Sequence, residues 1–270
     1  SVKTVTGRNL DWFFDQWLYK PGHPVFEVKS EWDAVKRVVR LDVAQVQDLS
    51  RGVPVFRVPV SIKLVSPGKT DIREVWIEKR EETFEFPLGE KPLLVRFDKD
   101  NVLIKEITFP RERDELIYQL GHDDVIGRMD AAGALLAFKD DPRTAAALAT
   151  SLRTDPFWAV RKSALEALAQ IGVKGGPAVF KKACQDPDPQ VRAAALVALG
   201  NLRDRAHLEF YKDLFRTDLS YRVQAEALTA IGKTGDPSAA FFLKQAAAVP
   251  SYRDMVRRAA EAALKLVEKR

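Results

Sequence analysis

Cysteine is nearly missing: Cys184 is the single one in 270 residues, which excludes an intramolecular disulfide and with it a small scaffold held by such bridges. Histidine is scarce as well. His23, His122 and His207 are the three present, and no two stand at the i, i+4 spacing that aims two imidazoles at one metal from a single helix. No stretch approaches 18 uninterrupted apolar residues, so no membrane-spanning helix is expected. The opening SVKTVTGRN lacks the basic-then-apolar order of a secretory signal, so the chain reads as soluble and its compartment stays open. Charge of one sign is lacking too. Residues 1–110 carry 18 basic and 17 acidic side chains and residues 111–270 carry 25 and 21, with no basic run or stripe able to neutralise several phosphates together. Neither nucleic acid nor membrane is expected as a partner.

What is present changes texture twice. Leu10, Phe13, Phe14, Trp17 and Leu18 recur at i, i+3, i+4, i+7 and i+8, which predicts a short helix over 9–20 with one large apolar face, closed by Pro21, Gly22 and Pro24. From Val25 to Phe109 the period becomes two. Phe56, Val58, Val60, Ile62 and Leu64 alternate with Arg57, Pro59, Ser61 and Lys63, and Pro59 hints at an edge strand. Turn chemistry at 66–71, 87–92 and 98–101 separates about seven short antiparallel strands, as in an immunoglobulin-like β-sandwich.

After Pro110 a helical repeat begins. Segments starting at Asp123, Asp155, Asp186, Asp218 and Ser251 align so that Met129, Val160, Val191, Val223 and Val256 fall at one position, separated by 31, 31, 32 and 33 residues. Four residues later stand Gly133, Ala164, Ala195, Ala227 and Ala260, small enough to let a neighbouring helix come close. Asp-Pro pairs at Asp141, Asp155, Asp186, Asp188 and Asp236 read as helix starts, and Gly172, Gly200, Gly232 and Gly235 as helix ends. A helix pair every 31 to 33 residues, with Val-Arg at Val160, Val191 and Val256, is that of HEAT-like repeats. The expected fold class is multi-domain, β then α: a short N-terminal helix, an immunoglobulin-like β-sandwich, then an α-α superhelix of HEAT-like repeats. The expected divisions are 1–24, 25–110 and 111–270.

The string NLDWFFDQWLYKPGHPVFEV, with Phe13, Phe14, Trp17, Gly22, Pro24 and Val25, resembles the closing helix of the catalytic domain and the start of the β-sandwich in zinc aminopeptidases of the aminopeptidase N family, the gluzincins. In that family a helical domain, often of HEAT-like repeats, follows. The resemblance implies that this is the non-catalytic C-terminal part of a zinc metallopeptidase that removes N-terminal residues from peptides. Residues 1–24 would be the end of the zinc domain. The family's His-Glu-x-x-His and Gly-x-Met-Glu-Asn motifs are absent from this sequence, so it implies no cofactor within the chain and zinc on the missing part. Its implied partners are the missing N-terminal and zinc domains and, through them, peptides. A different reading is a HEAT-repeat protein-binding scaffold attached to a degenerate peptidase.

Candidate chemistry within the chain is thin. His23 lies in a turn between prolines, His122 precedes two acids at a helix start, and His207 has no convergent ligands in sequence, so each reads as structural. Ser163, Ser220 and Cys184 stand in no nucleophile-activating context. Arg161, Arg192 and Arg257 could face a peptide carboxylate, but an inter-repeat ladder with Asp155, Asp186 and their neighbours is the favoured reading. Trp12, Phe13, Phe14 and Trp17 are expected to pack against the sandwich or against the missing zinc domain.

Overall fold

The computed structural model describes Gly7 and residues 9–268. Residues 1–6 and 8 of the expected segment 1–24, and residues 269–270 of the repeat region, lie outside the described residues. The chain divides into two compact units, Ser1–Tyr118 and Gln119–Arg270.

The first unit is a two-layer sandwich. Strands β1 (Val25–Asp33), β2 (Val38–Gln45), β5 (Glu81–Pro87) and β7 (Glu106–Thr108) form one sheet in the order β5-β2-β1-β7, and β3 (Val58–Ser66), β4 (Lys69–Ile77) and β6 (Leu94–Arg96) form the other in the order β4-β3-β6. Alternation decides which residues meet between them. Phe26, Val28, Leu41 and Val43 from one sheet share a core with Val58, Val60, Ile62 and Leu64 from the other, all nearly inaccessible to solvent.

Two expectations about the strands are corrected. β7 pairs with β1 in parallel, so the strands are not all antiparallel. β3 is the middle strand of its sheet, yet Pro59 is tolerated because β6 covers β3 only at Lys63–Val65, which leaves the missing amide on a locally open side.

The N-terminal helix also departs from its expected form. Helix α1 (Asp11–Phe14) widens at once into a π-helical turn, Asp15–Tyr19, and the extra residue per turn rotates Gln16 inward in place of the apolar stripe. The Gln16 amide donates to the Arg57 carbonyl at 2.8 Å and accepts from the Arg57 amide at 2.9 Å, copying a strand pairing. Gln45 does the same for Phe56, at 2.8 Å in both directions. Trp17 stacks on Phe56 with ring centroids 5.0 Å apart. Trp12 meets Trp76 edge-on, with the Arg57 guanidinium over both rings, while Phe14 is half-buried and Phe13, Leu18 and Tyr19 are exposed.

Helix α2 (Arg113–His122) contains the division between the units. Within the first, Glu115 accepts from the Val95 amide of β6 at 2.9 Å. Burial pushes the Glu115 carboxyl above its ordinary range, against the opposing pull of that amide and of Arg111. A carboxyl with a raised folded-state pKa binds its proton more tightly when folded. Its charge therefore costs stability at neutral pH, and the cost is relieved as pH falls through the folded pKa. Glu115→Gln keeps the acceptor and removes the charge. It is expected to gain up to about 1 kcal/mol at neutral pH and to remove this part of the pH dependence. Thermal melts of both proteins between neutral and mildly acidic pH check this, and a loss of stability at neutral pH would refute it.

The second unit is a stack of helical hairpins. After α3 (Val125–Ala134) come α4 (Pro142–Thr154) with α5 (Trp158–Ile171), α6 (Gly176–Ala183) with α7 (Pro189–Asn201), α8 (Leu208–Thr217) with α9 (Tyr221–Thr234), and α10 (Ala240–Ala246) with α11 (Met255–Glu268). The second helix of each pair packs on the second helix of the next. Asp141 and Asp188 cap α4 and α7 by accepting the amide two residues on at 2.8 Å, each with proline in the first turn.

Here the structure corrects the register of the first repeat. Ala131, Ala164, Ala195, Ala227 and Ala260 are all at 0% exposure, so Ala131 and not the exposed Gly133 is the first member of the small-residue series. Gly127, accordingly, takes the place assigned to Met129. The four glycines read as helix ends all lie at or near them, but the left-handed cap is found at Gly172 and Gly235, at φ 73° and 62°, whereas Gly200 and Gly232 keep helical backbone in the last turns of α7 and α9. There they are needed for contact: a Cβ on Gly232 would sit 2.6 Å from the Ala263 Cα, and one on Gly200 2.9 Å from the Ala230 Cβ.

Candidate functional site

Each rung of the helical stack is built from a pair of residues 25 to 27 apart. Arg161, in the first turn of α5, reaches Asp186 with Nε at 2.8 Å and Nη2 at 2.7 Å, and its Nη1 donates to the Asp155 carbonyl at 3.0 Å. Arg192 of α7 repeats this with Asp218 at 2.7 and 2.9 Å and with the Asp186 carbonyl at 2.9 Å. Arg128 of α3 supplies a third rung to Asp155 at 2.7 and 3.1 Å. The side chains are largely buried, 15%/6% exposed for Arg128 and Asp155 and 11%/9% for Arg161 and Asp186. A bidentate guanidinium–carboxylate pair in such a setting is strong and directional. Hydrogen bonding by Asp186 and by Asp218 holds the Arg161 and Arg192 guanidiniums even further above neutrality than usual.

Arg161 and Arg192 thus have their donors turned into the stack. Arg257 does not share their setting: it is exposed and bonds Asp254 within its own helix start. The sequence reading missed Arg128 because its alignment of the first repeat was displaced; the carboxylate of Asp155 was the available signal. At the next position Gln224 stands where arginine would be. Its amide donates to the Asp218 carbonyl at 2.7 Å, but its Oε1 is buried without a partner. The Asp series continues as Ser251, which caps the Val256 amide at 3.0 Å.

The histidines stay apart. His23 pairs with Glu106 at 2.9 Å on the sandwich, His122 is exposed at the end of α2, and His207 is buried against Tyr211 with neither ring nitrogen hydrogen-bonded. Among the described residues no group of three or more His, Cys, Asp or Glu could hold a metal ion. Burial pushes the Cys184 thiol up to about 12, which leaves no thiolate for attack at neutral pH. Ser163 and Ser220 are half-buried, Ser220 with its amide bonded to Asp218. No helix among the described residues is long and apolar enough to cross a membrane.

One concave feature lies on the second helices. A groove of about 430 Å³ runs over α7 between the ridges of α5 and α9, floored by Ala193, Ala194 and Val197. Its walls carry Lys162 and Glu166 on one side and Arg222 and Glu226 on the other.

Comparison with known proteins agrees with this architecture. The family described as HEAT repeats matches residues 176–265. Over 201 residues, 63% of this chain, the sequence is 24% identical to transcription initiation factor TFIID subunit 2 of Drosophila melanogaster. It covers 16% of that protein. The Caenorhabditis elegans protein of the same name is 24% identical over 161 residues, 48% of this chain and 15% of that protein. The chain therefore spans about one sixth of the curated relatives it matches. Among solved structures, Legionella pneumophila aminopeptidase A, crystallised in complex with aspartic acid, aligns with 99% of this chain and 42% of its own at a TM-score of 0.62 and 13% identity. The chain accordingly has a β-then-helical-superhelix fold with HEAT repeats, the arrangement found in part of an aminopeptidase.

Proposed function

We propose that this chain is a non-catalytic part of a larger zinc aminopeptidase, in which the helical repeats position domains and restrict which peptides reach a metal centre carried elsewhere. The observation that supports it best is the alignment of the chain, from sandwich through repeats, with less than half of an aminopeptidase chain. The zinc, the hydrolytic residues and the selection of the N-terminal residue would belong to the remaining part. Within this chain the Arg128, Arg161 and Arg192 rungs stiffen the stack and do not receive peptide carboxylates, because their guanidiniums are already engaged. Deleting residues 111–270 from the full-length protein and measuring hydrolysis against peptide length tests the reading. A changed length preference supports it; unchanged selectivity refutes it.

The second reading, a protein-binding scaffold on a degenerate peptidase, is favoured by the two relatives named as transcription initiation factor subunits. Zinc content and aminoacyl-amide turnover of the full-length protein separate the two. An active zinc enzyme supports the first, and a metal-free inactive protein the second.

A further inference from the structure

Each second helix faces the following hairpin with one row of residues spaced four apart. Arg161 and Arg192 mark the start of that row, since each reaches the aspartate of the following hairpin. Gly200 and Gly232 mark it eight residues later, because a Cβ added at either would meet Ala230 or Ala263 of the next second helix. Between them stand Leu196 and Leu228, on the same helix face by their i, i+4 spacing and both at 0% exposure. Helix α5 thus presents Arg161, Leu165 and Ala169, α7 presents Arg192, Leu196 and Gly200, and α9 presents Gln224, Leu228 and Gly232. The row supplies a polar tie, an apolar seat and a gap for close approach.

In α11 the same positions are Arg257, Glu261 and Lys265, all three exposed. Arg257 bonds Asp254 at its own helix start. Glu261 stands where the other three helices have a leucine at 0% exposure, and another hairpin laid on it would bury its carboxylate. Lys265 puts a long, strongly hydrated cation where close approach requires glycine or alanine. The residues of α11 that face back into the stack keep the repeat, with Val256, Ala260 and Ala263 at 1% exposure or less. We infer that α11 is the cap of the helical stack, with one face that accepts the preceding hairpin and an opposite face that refuses a following one of the same kind. The inference rests on the side chains of α11 and holds under either reading of the function.

The test attaches a second copy of residues 204–235, which carry α8, Asp218 and α9, directly after Glu268 of the whole chain. It is made with and without the pair Glu261→Leu and Lys265→Ala, which rebuilds in α11 the row of α5. In the double variant Arg257 can take the copied Asp218, and the copied Ala230 can lie against the new alanine. Limited proteolysis read by intact mass should trim the copy from the chain with the native α11 and spare it in the double variant, with a lifetime about tenfold longer. Both substituted positions are on the surface, and circular dichroism of the double variant without the copy verifies its fold. A copy equally resistant on both chains, or equally sensitive on both, would overturn the inference.

Discussion

Arg192→Ala is expected to destabilise the helical unit by about 3 kcal/mol, since removing one member of a buried ion pair strands the other. The guanidinium makes two bonds to Asp218 and donates to the carbonyls of Asp186 and Pro187 at 2.9 and 3.0 Å. Its loss would leave the Asp218 carboxylate, 6% exposed, with the Ser220 amide as its remaining bond. The turn between α6 and α7 would lose its tie as well, because both carbonyls lie there. Arg257→Ala is the control: that side chain is more than half exposed and is bonded to Asp254 at the surface, so a change below about 0.5 kcal/mol is expected. Denaturant unfolding followed by far-ultraviolet circular dichroism would measure both. Equal losses for the two arginines would mean that the rungs are surface ornaments of the stack. The double change Arg192→Met with Asp218→Leu should cost less than Arg192→Ala, since no charge is left unpaired.

Gly232→Val is expected to cost more than about 3 kcal/mol, or to detach the last hairpin from the stack. The Cβ of any larger residue would meet the Ala263 Cα at 2.6 Å and the Ala263 carbonyl oxygen at 3.1 Å, which are backbone atoms of α11 that cannot rotate away. The separation of α9 from α11 would have to grow, and Val223, Ala227 and Ile231 on one side and Val256 and Ala260 on the other would lose their contact. This junction has no arginine rung, so close helix approach carries more of its stability than at the earlier ones. Gly133→Ala is the counterpart, with open space around the added methyl and helical backbone. A gain of about 0.5 to 1 kcal/mol is expected there. Limited proteolysis with mass spectrometry would locate the effect: in Gly232→Val, cleavage should appear between α9 and α11. A variant as resistant as the parent chain would refute the packing argument.

The order of textures, period two and then a repeat of 31 to 33 residues, was legible because it depends on which residues along one strand or helix share a face. The buried valines and alanines of α5, α7, α9 and α11 lie where the repeat places them. The candidate site was legible only in part. Arg161 and Arg192 could be singled out by recurrence, yet whether such an arginine faces a peptide or an aspartate depends on the neighbouring hairpin. The groove was not legible at all, since its walls come from two helices separated in sequence by the one that forms its floor.

By itself the sequence determined local facts: a sandwich followed by helical hairpins, and aspartates with prolines to start several helices. Those follow from backbone propensity and side-chain periodicity, which need no partner. Tertiary structure decided the rest. It turned Gln16 inward through a π-helical turn, moved the first repeat's register to Gly127 and Ala131, assigned Gly200 and Gly232 to helix contact, and set β7 parallel to β1. Each of these is settled by what lies across a packed interface, where excluded volume and the pairing of buried polar groups select among arrangements that are locally equivalent.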